Sequence, residues 1–188
     1  IWELTSRSVP RVVAKRGMFE QQYEGGPDKL VVILAEERVY IDYQTAKAIV
    51  DTHHRVYRVY HEWGQEEIRK ARVRRYAESY LGRRRYMPDL IAPDASLRGQ
   101  AERAVINMPV QGTAADVLKM QMRDSIPLLL KYEAHLAATV HDELAGWVPE
   151  DRAEDFMREL TEQMDSVMIN GVRLRTSGGL GRNWAEAK

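Results

Sequence analysis

The sequence predicts an α+β fold on three observations. From Thr45 to about Arg75 the apolar positions Ala46, Ile49, Val50, Val56, Tyr57, Tyr60, Trp63 and Ile68 recur largely at helical spacing. Strand-like alternation gathers in the second part, above all in "AATVHDELAGWVP" from Ala137 to Pro149. The chain has 188 residues and 44% hydrophobic content, enough to bury a core in one domain or two small subdomains.

Taken in order, Arg11 to Tyr23 reads as a helix stopped by Gly25-Gly26-Pro27. Leu30 to Ala35 is a short apolar run, and Val39, Ile41 and Tyr43 alternate like a strand, in segments too short to settle helix against strand. Thr45 to Arg75 is helical with a break expected at Gly64. "YAESYLGRRRYMPD" predicts a hairpin turning at Leu81-Gly82. Leu97 to Asn107 makes a short helix that Pro109 must end or kink, and Gly112-Thr113 opens a longer one reaching Lys131 with a kink at Pro127.

A second hairpin covers the quoted stretch. Pro149 and Asp151 then start an amphipathic helix with the stripe Ala153, Phe156, Met157, Leu160, Met164, Val167 and Met168. Val172 to Thr176 is the last strand, giving an antiparallel sheet backed by helices.

Composition excludes several classes. Lysine plus arginine, 28, equals aspartate plus glutamate, 28, so net charge names no partner. Its distribution is uneven: Arg69 to Arg85 holds eight basic residues and one acid, Glu78, while Glu150 to Asp165 is acidic. The basic block suits a phosphate backbone or a solvated helix face. With no cysteine, disulfides and thiolate metal sites are excluded. No apolar run is long enough to span a bilayer and no signal-peptide pattern opens the chain, so a soluble protein is expected. Ile1 is not an initiator residue, and an upstream segment is expected.

Three constellations carry chemistry. Arg11, Lys15, Phe19 and Tyr23 step by four and stay near one helix face, a stripe of cations and aromatic rings that suits a nucleoside triphosphate and equally an ordinary amphipathic helix. Arg103, Asn107 and Gln111 repeat that spacing. Their long polar side chains could donate to the acceptors of a DNA minor groove, or cap the break at Pro109. His141, Asp142 and Glu143 crowd a predicted hairpin tip, where a carboxylate suits a hard cation but acids also serve turns. His53, His54 and His61 share a helix with no carboxylate pattern to suggest zinc.

Together, and in this order, the motifs resemble family A DNA polymerases, the DNA polymerase I type. "RVVAKRGMFEQQYEGG" is similar to the family's fingers-helix motif, "GRRRYMPD" to the segment after it, "AERAVINMPVQGTAAD" to the family over its whole length, and "VHDEL" to the C-terminal palm motif. "GRNWAEAK" resembles the family's chain end. The resemblance implies helical fingers over 1–75 and the C-terminal half of an antiparallel-sheet palm over 76–188.

It implies that Arg11 and Lys15 hold the triphosphate of a dNTP, with Lys15 also the proton donor to pyrophosphate. Phe19 would pack on the incoming nucleotide and disfavour dideoxynucleotides, and Tyr23 would gate the template base. Arg103, Asn107 and Gln111 would track primer-template DNA, His141 would touch the primer end, and Asp142 would ligate magnesium, two ions serving the complete site, with Glu143 beside it. Asp142, Lys15 and Glu143 are thus the expected catalytic residues.

The sequence departs from the family in two places. Met18-Phe19-Glu20 stands where Asn-Phe-Gly is usual, and Glu24 follows Tyr23 where glycine is usual. No Asp-Tyr-Ser-like segment precedes Arg11, and "DYQ" at Asp42 to Gln44 falls after the fingers motif and reads as a connector. A second polypeptide or an upstream segment is therefore expected to bring the thumb and the first palm aspartate. The rival reading is a non-catalytic DNA-binding subunit that keeps the fold. The Gly25-Gly26-Pro27 variant points to a phage or otherwise divergent source.

Overall fold

The computed structural model describes residues 15, 17, 18, 21 and 25–187. It is α+β, and it divides into two compact units, residues 1–110 and 111–188. The division at 75/76 drawn from the motifs separates expected roles and falls inside the first unit.

Lys15, Gly17, Met18 and Gln21 are helical. Helix α1 follows at Pro27–Glu36, where Pro27 presets the first turn and Leu30 and Leu34, one turn apart, are buried. The strand-like alternation around Val39 forms no strand. Arg38 adopts a left-handed φ of 60°, its N–H donates to Ala35 O, and Val39 N–H donates back to Leu34 O. This Schellman closure puts an apolar residue just past the helix end for contact with its last turn. Val39 and Ile41 pack on Leu30, Leu34, Ala46, Ile49 and Val50, so their alternation reports a helix closure and not a ladder.

Helix α2, Tyr43–Val56, begins at Asp42, whose side chain accepts from Thr45 N–H at 2.6 Å. "DYQ" is thus a helix cap, in line with the connector reading. The cap bond from Thr45 holds the Asp42 carboxyl below the usual carboxylate range.

Helix α3 spans Arg58–Arg74. The break falls at Tyr57 (φ −105°, ψ 37°) and not at Gly64, which lies buried within α3. A Cβ at Gly64 would stand 3.4 Å from Ile106 Cδ1, so the missing side chain allows a close helix approach and leaves α3 unbroken.

Strands β1 (Tyr76–Glu78) and β2 (Arg84–Tyr86) form the expected hairpin, with Gly82 at φ 89° in its turn. A short 3-10 turn at Pro88–Ile91 leads to α4, Ala95–Asn107, capped by Asp94 through the N–H groups of Ser96 and Leu97. The larger core of this unit joins Ile68, Ala71, Ala77, Met87, Leu90, Val105 and Ile106. The α-helix ends at Asn107, as expected ahead of Pro109; Met108–Gly112 form one π-helical turn, and α5 is Thr113–Asp124. Proline has no N–H for the carbonyl four residues back and its ring crowds it, and the wider π turn makes room.

In the second unit the break near Pro127 lies at buried Ser125, and Pro127 sits in the first turn of α6, Ile126–Tyr132. Strands β3 (His135–Val140) and β4 (Glu143–Trp147) pair antiparallel with a bulge between Leu136 and Ala138. After a 3-10 turn, α7 runs from Ala153 to Met164. Tyr132, Ala134 and Phe156 form the core, with Leu128, Leu129, Val148 and Leu160 packed on it. Tyr132 donates its hydroxyl to Glu159 at 2.7 Å, and Lys131 pairs with the same carboxylate, which fastens α6 to α7.

The expected helical stripe is too long at its end: Val167 and Met168 lie beyond α7, and Met168 belongs to β5 (Met168–Ile169). β5 pairs with β6, Val172–Arg173, through Asn170 (φ 49°) and Gly171 (φ 79°), which is shorter than the strand expected over Val172–Thr176. Two positive φ values at Asn-Gly make a tight hairpin turn. The described residues of this unit therefore hold two separate two-stranded ladders, where one backed sheet was expected. Among them no helix is long and apolar enough to cross a membrane.

Candidate active-site hairpin and its surroundings

The β3–β4 hairpin is closed by the pair Val140↔Glu143, leaving His141 and Asp142 as a two-residue tip. His141 takes φ 56°, a left-handed conformation that costs a side-chain-bearing residue about 1–2 kcal/mol. Strain of this kind collects where a turn must aim its groups. Asp142 is exposed, and among the described residues it makes no hydrogen bond or ion pair. Glu143 is exposed as well, but its Oε1 accepts from Trp184 Nε1 at 2.7 Å.

Of the other expected residues, Lys15, Arg103 and Asn107 lie in the first unit and Gln111 opens the second. Lys15 is exposed while Gly17 and Gln21 are buried, so the covered side of that helix is not the side of Lys15. Residues two apart on a helix are about 200° apart. Arg11, Phe19 and Tyr23, together with Glu20 and Glu24, lie outside the described residues.

Arg103 is exposed on α4, beside a shallow cleft of about 120 Å³ lined by Gln65, Ile68, Gly99, Glu102 and Ile106. Asn107 is half-buried, with Oδ1 enclosed and without a hydrogen-bond partner among the described residues. An unmet buried acceptor of this kind costs about 1–3 kcal/mol. Gln111 is exposed in the π turn, where four residues no longer amount to an α-helical step. Arg103 and Asn107 are four residues apart on α4, and Gln111 lies in the turn after it.

The basic block is less free than its sequence count suggests. Arg72 pairs with Glu102, Arg69 with Glu66 at 2.7 Å, Lys70 with Glu67 at 2.8 Å, and Arg84 with Glu78 at 3.8 Å. Three of those four acids lie outside Arg69–Arg85, and a count within the block misses them. Arg84 also lies 4.7 Å over the Tyr76 ring.

The histidines do meet: His53 Nδ1 stands 3.1 Å from His61 Nε2, and the rings of His54 and His61 are 4.0 Å apart. They clip α2 to α3 across Tyr57. Among the described residues no group of three or more histidines or acids is placed to hold a metal ion. Asp142 offers one carboxylate, and these residues alone do not make a metal site.

Trp184 is the contributor that sequence spacing missed. It lies 41 residues from Glu143, and the one pointer to it is the likeness of "GRNWAEAK" to the family's chain end.

Comparison with known proteins gives a consistent result. The family model described as DNA polymerase family A matches residues 4–186. The thermostable DNA polymerase I of Thermus filiformis is 43% identical over 148 residues, 79% of this chain and 18% of that protein. That of Thermus aquaticus is 38% identical over 81% of this chain and 18% of its own length. DNA polymerase I of Streptococcus pneumoniae is 33% identical over 79% of this chain and 17% of its own.

The chain thus spans under a fifth of the length of these relatives. A solved structure, the POL domain of Pol1 from M. smegmatis in complex with DNA primer-template and dNTP, matches with a TM-score of 0.85 and 27% identity, covering 97% of this chain and 32% of that one. With a family match over almost its full length, the chain belongs to DNA polymerase family A.

Proposed function

We propose that this chain is the fingers and C-terminal palm portion of a DNA-directed DNA polymerase, which adds nucleotides to a primer 3′-hydroxyl under the direction of a template. The observation that carries the reading is Asp142: a carboxylate without a partner among the described residues, held outward on a strained two-residue tip. Family membership supports it, and so does the likeness to a polymerase domain bound to primer-template and dNTP.

On this reading Lys15, with Arg11, binds the triphosphate and gives a proton to departing pyrophosphate. Phe19 and Tyr23 face the nucleotide and template base. Arg103, Asn107 and Gln111 follow the duplex, and His141 touches the primer end. The described members fit these tasks in one respect: Lys15, Arg103, Gln111, His141 and Asp142 are exposed, and none spends its polar group on a described neighbour. A ligand then meets little competition from the protein itself.

Family A polymerases generally use divalent metal ions. Magnesium, two ions in the complete site, is the cation proposed here, and it would supply charge stabilisation at the phosphoryl oxygens. Asp142 would be this chain's ligand to it. The remaining ligands, including the first palm aspartate, and the thumb would come from other residues of a longer polypeptide or from a second chain.

The test is Asp142→Ala in the complete protein or complex. Primer extension should fall at least about 100-fold while primer-template affinity is kept. Unchanged synthesis would sink the reading and favour the non-catalytic DNA-binding subunit.

A further inference from the structure

We infer that Trp184 is a positioning residue for Glu143, and that the turn formed by Arg182–Ala187 is the frame that presents its indole to the β3–β4 tip. This rests on the polymerase reading, in which Glu143 stands beside the reacting groups.

Glu143 is the first residue of β4, exposed and next to Asp142 in sequence. Left alone, such a side chain would sample several rotamers, beside another negative charge. The Trp184 indole N–H takes Oε1 at 2.7 Å, which fixes the carboxylate without neutralising it and leaves Oε2 for another donor. A lysine or arginine there would also hold Glu143, but would cancel the charge beside Asp142.

The frame is self-closed. Asn183 Oδ1 accepts from the N–H groups of Ala185 and Glu186, Asn183 Nδ2 donates to Glu186 Oε1, and Arg182 N–H donates to Glu186 Oε2. At Gly181 an added Cβ would stand 2.6 Å from Glu186 Cβ and 2.7 Å from Ala187 N, so the turn closes only around a glycine. Upstream, an added Cβ at Gly178 would overlap Met157 of α7, which places the tail against that helix before it reaches the tip. A segment with its own internal bonds and two points of contact, on α7 and on Glu143, is suited to set the position of one side chain.

The experiment uses the complete protein and Trp184→Phe, which keeps an aromatic ring and removes the N–H. Amide hydrogen exchange at Asp142, Glu143 and Leu144 should become about two- to tenfold faster. Single-turnover kcat should fall, while nucleotide KM and primer-template affinity stay unchanged. In a Glu143→Ala background the same change should add nothing, because the acceptor is gone.

Unchanged tip exchange in Trp184→Phe overturns the inference, as does a further loss of kcat on the Glu143→Ala background. Gly181→Ala provides a second route and should accelerate the same amides with Trp184 intact; a tip unaffected by that variant also counts against the frame. If the unaltered protein extends no primer, the polymerase reading fails, whereas the exchange measurement still decides whether Trp184 holds Glu143.

Discussion

Two of the hairpins, β1–β2 with a five-residue loop and β3–β4 with a two-residue tip, share a two-stranded plan and treat their polar groups in opposite ways. In β1–β2 the loop secures itself: Ser79 N–H donates to Arg83 O, Arg83 N–H to Ser79 Oγ, and Gly82 N–H to Ser79 O. One face sets Ala77 in the core, and on the other Tyr76 and Tyr86 meet edge-on at 6.0 Å, with Arg84 over the Tyr76 ring. In β3–β4 most of both strands is exposed, and the tip turns an acid outward without a partner among the described residues. A hairpin whose groups are satisfied internally serves as scaffold. One whose tip group is unsatisfied and whose backbone is strained is arranged for something outside itself.

The sharpest way to break this contrast is to place one substitution in both hairpins. Ala77 is 6% exposed in the larger core, so Ala77→Asp should destabilise the protein by about 3 kcal/mol or more, through a buried and unpaired carboxylate. Ala138 is exposed on β3, and Ala138→Asp should stay within about 0.5 kcal/mol. Denaturant midpoints of the two variants measure the difference. A large loss at Ala138 in the complete protein would mean that this face is covered there, by further strands or another chain, and the contrast would then be one of assembly.

What the sequence revealed follows the same division between local signals and long-range ones. Both hairpins were legible because their turns are local: Leu81-Gly82 in one, and two residues between alternating runs in the other. The third hairpin was equally marked by Asn170-Gly171, a strong local turn signal, but the apolar residues Val167 and Met168 continued the helical period of α7 and drew the reading past its end. Val39 and Ile41 misled for the converse reason, since a Schellman closure also wants an apolar residue after the helix. Gly64 suggests a break in the sequence because a glycine's packing role, here against Ile106, depends on tertiary contact that spacing does not encode; Pro109 marks the helix end, but the π turn that follows depends on backbone relaxation.

For the candidate site, motif order identified the family and singled out Asp142. The bond from Trp184 and the pairing of the arginine block with Glu66, Glu67 and Glu102 needed coordinates.

A smaller effect separates the glycines of the two hairpins. A Cβ at Gly146 in β4 would lie 2.6 Å from His135 O, a backbone atom that cannot move without opening the ladder, so Gly146→Ala should cost about 1–3 kcal/mol. At Gly82 there is space, with Glu78 Oε1 3.7 Å away, and the penalty comes from φ 89° alone, about 1 kcal/mol. Amide exchange along β3 and β4 should rise in Gly146→Ala, whereas Gly82→Ala should loosen only its own loop. If Gly146→Ala leaves β3 and β4 as protected as before, the strands are held by something besides their own pairing.

The smallest expected effect concerns β5–β6, which should follow the self-satisfied pattern of β1–β2. Asp165 accepts from Thr176 N–H, and Arg173 and Arg175 lie 3.7 and 3.5 Å from the same carboxylate. The backbone bond from Thr176, followed by the charges of Arg173 and Arg175, holds the Asp165 carboxyl below its usual range. A folded-state pKa lowered in this way means that the ionised form is favoured by folding. The stabilisation is therefore complete above the unfolded value of about 3.9 and is lost as pH falls through the lower folded value. Asp165→Asn should lower the melting temperature modestly at pH 7, and the gap from the unaltered protein should narrow as pH is taken below about 4. A gap that stays constant across that range would show that Asp165 acts through hydrogen-bond geometry, which an amide oxygen can reproduce only in part, with no contribution from its charge.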